Sequence, residues 1–215
     1  MAMPNELRAS VPADHDLIDR ANAAAVPVQV AIVFAVLAVV LELGSLVLYS
    51  AAAGFSTSLS VPPTLLLASH SSAGLIQWGS IIDMFGYLCI APVVVYLRDR
   101  HAGARLINLY AVAGICLVVI GSIGAAVMAT AAPYLIDQYH VASSGGKQSI
   151  DLVFTTLYRA VVVGMWQTLE TIPGALWLIG TAIAIRGKAS WAVYFPLLLF
   201  GLANAGIAVY RLSGL

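Results

Sequence analysis

Long apolar runs separated by short polar joints dominate this chain, and the length of each run predicts what it forms. A helix needs about 20 consecutive apolar residues to cross the hydrocarbon core of a bilayer. Val26 to Ser50 supplies one such run, interrupted only by Gln29 near its start and by Glu42. Leu75 to Leu97, Leu106 to Ala131 and Trp191 to Arg211 supply three more. Ile150 to Ile185 is 36 residues long, too many for one upright span and too few for two with a turn between. It reads either as an amphipathic lead-in over 150–164 at the outer surface followed by a span from Met165 to Ile185, or as one long tilted helix kinked near Pro173. The prediction is an all-α, polytopic integral membrane bundle. Five transmembrane helices make a single domain over 26–215, behind a cytoplasmic tail over 1–25 that is poor in large apolar residues.

Charge sets the expected threading, because Lys and Arg concentrate in cytoplasmic loops beside helix ends. Arg98, Arg100 and Arg105 lie between the second and third spans, Arg186 and Lys188 precede the last, and Arg8 and Arg20 lie in the tail. Seven of the ten basic residues then fall inside, leaving Lys147, Arg159 and Arg211 outside, provided that 150–185 crosses once. Tyr49, Trp78, Tyr134 and Tyr210 mark outer helix ends, and Tyr96, Tyr110, Trp191 and Tyr194 inner ones, as an aromatic belt would. The segment "SAAAG" at 50–54 has the small residues of a signal-peptide cleavage site. The apolar run before it exceeds the usual 7 to 15 residues, however, and a retained first span is the expectation. The loop from 51 to 72 holds enough apolar residues to fold back on the helices, and "HVASSGGKQS" reads as a flexible turn.

Composition agrees with a bilayer. Apolar residues make up 61% of the chain and charged residues 9%, against about 25% charged in a soluble domain. The formal net charge is zero, which gives nucleic acid nothing to bind. Cys89 and Cys116 both fall in apolar runs and read as free, buried packers rather than a disulfide.

Against this background "WGSIIDMFGYL", residues 78–88, places Asp83 where a carboxylate is costly. At about 1.5 Å of rise per residue, Asp83, Glu42, Glu170 and Asn204 all lie about 5 to 7 Å to the outer side of the middle of their spans. Gln77 and Gln167 lie somewhat higher. Residues three and four apart share a helix face. Around Asp83 these are Gly79, Ser80, Gly86 and Tyr87; around Glu170 they are Trp166, Gln167, Pro173 and Gly174. Small residues let helices approach closely, so these faces point into protein, and the glycines of the third span mark a packing helix. The expectation is a polar chamber in the outer half of the bundle, with Asp83, Glu42 and Glu170 as candidate acid/base groups. Tyr87, Gln77, Trp166, Gln167 and Asn204 are the candidate ligand-binding residues. The alternative for the same carboxyls is helix glue, protonated and hydrogen-bonded to Tyr or Gln.

The run "IQWGSIIDMFGYLCIAPVVVYLRDR", followed by "ARLINLYAVAGI", resembles a bacterial family of small polytopic membrane proteins known only as a domain of unknown function. The resemblance rests on an Asp-x-x-Gly-Tyr-Leu element, here Asp83, Gly86, Tyr87 and Leu88, ahead of a short basic loop. It implies a long helix near 150–185, one closing span and a bacterial inner (plasma) membrane, in which the basic residues set the N-terminus cytoplasmic. It implies no activity. The loop "RGKAS" departs from it by lacking an expected proline.

All four histidines fall in tails or loops, and no CxxC, HExxH, P-loop, GxSxG or dinucleotide fingerprint occurs, so neither a metal nor another cofactor is predicted. Three functional readings stay open. The first is a site for a lipophilic small molecule entered from the outer leaflet. There, two carboxyls in unlike surroundings carry out acid/base isomerisation or cyclisation, and Trp166 and Tyr87 either steady a cation or simply pack. The second is a proton-coupled transporter, though five spans do not divide into repeats. The third is an accessory subunit whose polar layer meets a membrane partner or a second copy of the chain. Lipids are the remaining expected partner.

Overall fold

In a computed structural model, residues 26–55, 62–187 and 189–213 are described. The predicted tail, with Arg8, Arg20 and His15, lies outside them, as does Lys188. The described chain is helical throughout: α1 Val28–Ala52, α2 Pro63–Ala68, α3 Ser72–Arg100, α4 Ile107–Val141, α5 Ser144–Tyr158, a π-helical segment Arg159–Leu169, α6 Thr171–Ile185 and α7 Trp191–Leu212. Five helices are long and apolar enough to cross a membrane, the fourth being the unbroken 42-residue rod Ser144–Ile185. The protein is therefore an all-α bundle built as a multi-pass membrane protein.

Of the two readings of 150–185, the long helix is the one formed. It begins at Ser144, and no separate surface helix precedes the span. Its departure from α geometry is the π segment, ahead of Pro173, which sits unobstructively in the first turn of α6. The predicted turn "HVASSGGKQS" is also mostly helix, with only Ala142 and Ser143 between α4 and α5. Burial explains both results. Gly145 and Gly146 lower helix propensity by roughly 1 kcal/mol each, but α5 buries Phe154 completely against Leu67, Ile76 and Ile136. Each such side chain contributes about 1.5 to 3 kcal/mol wherever water is the alternative. Tertiary packing overrides propensity here.

At 35 residues, α4 is also longer than its predicted span. It measures about 52 Å, and the rod about 60 Å, against a hydrocarbon core of about 30 Å. Both overshoot at the same end, where α2 tucks against α5 and the end of α4 to close a small apolar cap.

Within the bundle, α4 is the central helix, packed by α3 on one side and α6 on the other. The outermost helices are α1, which packs on α3, and α7, which packs on α6 and the π segment. Among the described residues no comparable packing joins α1 to α7, so the arc of helices stays open between them. The buried residues of α1 are Ala31, Ala38, Ser45 and Ala52, a small residue every seventh position against α3. Cys89 and Cys116 are free, but Cys116 is exposed on the bundle surface, which corrects its expected burial.

Candidate functional site

Asp83 lies on the buried stripe of α3 that includes Ile76, Gly79, Ser80 and Gly86. That stripe meets α1, and there the carboxyl of Glu42 stands at hydrogen-bonding range from that of Asp83. The meeting depends on Gly86, because a Cβ at that position would lie 2.5 Å from Glu42 Oε1. Next on the α3 face, Tyr87 donates its hydroxyl to Glu170 Oε1 at 2.7 Å. Its ring lies over Gly121 of α4, where any Cβ would collide with it.

The π segment delivers the other wall. Bonds from i to i+5, such as Glu170 N–H to Met165 O at 2.8 Å, turn residues four and five apart onto one face. Val162, Trp166, Gln167, Glu170 and Thr171 all reach the same space in consequence. Single-turn π geometry inside α-helices occurs often at functional sites. Trp166 rests on Gly124, donates its indole N–H to Gly121 O at 3.4 Å, and meets Tyr49 edge to face with centroids 6.2 Å apart. From α7, Asn204 lies against Gly174, and Arg211 donates to Gln167 Oε1 at the rim.

These walls enclose a cavity of about 350 Å³. Of the eight residues named from the sequence, seven line it; the eighth, Gln77, is exposed on another face of α3. Asp83 and Glu170 are 7% and 9% exposed. Two carboxyl oxygens, Glu42 Oε1 and Glu170 Oε2, are buried with no hydrogen-bond partner. Tyr87 is bonded to Glu170 and not to its own helix neighbour Asp83, so the phenol ties α3 to the junction of the π segment and α6.

The cavity also uses Ser45, Tyr49 and Thr171, which the sequence reading passed over. Tyr49, taken for a belt residue, instead shares a 2.6 Å hydrogen bond with Ser80. The spacing of Glu42, Ser45 and Tyr49 at three and four was the available signal. Thr171 stands four residues after Gln167, and that spacing was its signal, whereas spacing from Glu170 points to Pro173 and Gly174. Leu46 of α1 and Ile207 of α7 line the cavity while standing 62% and 44% exposed, so they edge an opening on the side of the bundle.

Among the described residues no group of His, Cys, Asp and Glu has the arrangement of a metal centre. His70, beside Asp137 at 3.4 Å, belongs to the cap and not to the cavity. No family profile, curated protein or solved structure matches the chain.

Proposed function

We propose that this protein takes a lipophilic small molecule from the bilayer into the carboxylate cavity, head group first, and exchanges protons with it there. The observation that carries the reading is the position of the opening. The pocket lined by Glu42, Asp83 and Glu170 also counts Leu46 of α1 and Ile207 of α7 in its lining, both exposed, on the two helices that no comparable packing joins. The volume is at the small end for ligand pockets, which suits a head group whose apolar remainder stays in lipid. Intramembrane carboxyls usually mark functional sites. Glu170, at the end of the π segment, and the Glu42–Asp83 pair come from different helices onto one cavity, where a head group would lie within reach of each for acid/base work. The overshooting cap lies on the outer side if the basic 98–105 loop is cytoplasmic, making the outer leaflet the source of the molecule.

Native mass spectrometry of protein extracted in mild detergent tests this. Wild type is expected to retain a small lipophilic adduct that Glu170→Gln and Asp83→Asn lose at unchanged thermal stability. A co-extracted polypeptide in place of a small adduct, unaffected by those variants, supports the accessory-subunit reading instead.

A further inference from the structure

Resting on that reading of the cavity, we infer that the head group it takes is a protonated amine, an alkylammonium or a close relative, held between Glu170 and the Glu42–Asp83 pair. Donors and acceptors on the walls are unequally spent. The Tyr87 hydroxyl is given to Glu170, the Trp166 N–H to Gly121 O, the Asn204 amide to Phe200 O at 2.9 Å, and the Thr171 hydroxyl to backbone carbonyls. Of the buried side-chain atoms on the lining residues, those left without a partner are both acceptors, Glu170 Oε2 and Glu42 Oε1. Glu170 is itself nine-tenths buried. Once it has given up its proton, a carboxylate only accepts. In that form the cavity holds a donor.

Charge points the same way. Three carboxyls line the cavity and no Lys, Arg or His does; Arg211 is held at the rim by Gln167. A carboxyl that ionises in a buried site needs an opposite charge beside it, and a cationic head supplies one. An anionic head would face three carboxyls, and an alcohol would satisfy one acceptor without supplying charge. The Tyr49–Trp166 wall adds ring faces, which attract cations.

The passage of an amine through the lateral opening balances without any further reactant. The neutral amine enters between Leu46 and Ile207. A carboxylic O–H bond breaks, an N–H bond forms, and an ammonium–carboxylate pair remains; release returns the same proton.

The test uses the full-length protein in lipid nanodiscs with three probes of equal chain length: dodecylamine, dodecanol and dodecanoate. Occupancy is read by native mass spectrometry and by competition. Dodecylamine is expected to bind at least about tenfold more tightly than dodecanol, a difference of about 1.4 kcal/mol, with dodecanoate weakest. Glu170→Gln and Asp83→Asn should each weaken the amine about tenfold or more and leave dodecanol nearly unchanged; Glu42→Gln substitutes for either variant that fails to fold. If the alcohol or the carboxylate binds as tightly as the amine and the variants reduce it, the amine inference is overturned while the lipophilic site stands. Amine binding indifferent to every variant overturns both. Stabilisation by sodium chloride but not choline chloride, without amine binding, makes the site one for an inorganic cation and overturns the inference as well.

Discussion

The two halves of this bundle, divided across its depth, use the same packing device on different side chains. Toward the 98–105 loop, glycines receive apolar groups. Gly114 lies under Val94 and Trp177, Gly180 under Tyr110, and Gly201 under Ile179, and Val94, Ala111, Leu117 and Trp177 close into a core. Toward the cap, Gly86 receives the Glu42 carboxyl, Gly121 the Tyr87 ring and Gly124 the Trp166 indole. There the seats hold polar groups around empty space. Adhesion between helices needs only the first arrangement. A second half that keeps three carboxyls on one cavity, with two of their oxygens unpartnered, has more than adhesion requires, and the proposed ligand accounts for the surplus.

Which half faces outward is an all-or-none matter. In a background without Cys89 and Cys116, Ser144→Cys should react in intact cells with a membrane-impermeant thiol reagent, and Ala102→Cys should not. Both positions are exposed. The opposite pattern would turn the cavity toward the inner leaflet and reverse the source proposed for its ligand.

The glycine seats give the next largest effect. Gly121→Ala and Gly180→Ala each push a methyl group into an aromatic ring, at a cost of about 1 to 3 kcal/mol of overpacking. Thermal unfolding should show similar losses for the two. Only Gly121→Ala should also abolish retention of the small adduct, because only its ring holds Glu170. Equal retention in both variants would erase the functional distinction between the halves.

Asp83 separates size from charge. Asp83→Leu removes the group that faces the Glu42 carboxyl and should cost about 1 to 3 kcal/mol for the partner left unsatisfied. Asp83→Asn keeps the volume and most of the hydrogen bonding, so unfolding should change little while amine binding falls. Tyr87→Phe is smaller, about 1 kcal/mol for one hydrogen bond. A double-mutant cycle with Glu170→Leu should show the two costs to be non-additive, since either change breaks the same 2.7 Å contact.

The bundle and most of its cavity were readable from the sequence, and the reasons are physical. Run length alone locates spans, which is why α1, α3 and α7 begin within three residues of expectation. Depth and face together located Glu42, Asp83, Glu170, Tyr87, Trp166, Gln167 and Asn204, because rise and angular period constrain both coordinates in a regular helix. Where the helix is irregular, the reading stopped. No residue between 159 and 169 announces i→i+5 bonding, so the π segment itself could not be foreseen. The fold-back of the 51–72 loop was expected and α2 makes it, with Leu66 and Leu67 buried; its helical partner α5 was missed because Gly145, Gly146 and the polar residues around them read locally as a turn, and only the distant partners of Phe154 make them helical.

Gln77 gives the smallest expected effect and the sharpest check on that logic. Depth alone placed it beside the cavity, one turn beyond Ser80 on the same helix. Angle excludes it. Six residues separate Gln77 from Asp83, a rotation of about 240° at 3.6 residues per turn, and its side chain is exposed while Asp83 is buried. Gln77→Leu should therefore shift stability by no more than about 0.5 kcal/mol, as surface substitutions do. It should leave the retained adduct and dodecylamine affinity as in wild type. Two polar residues on one helix, less than two turns apart, would then differ completely in effect, and only their faces could account for it. If Gln77→Leu instead weakens the amine as Asp83→Asn does, the ligand lies on the membrane-facing side of α3, and the space between α1 and α7 is not where it sits.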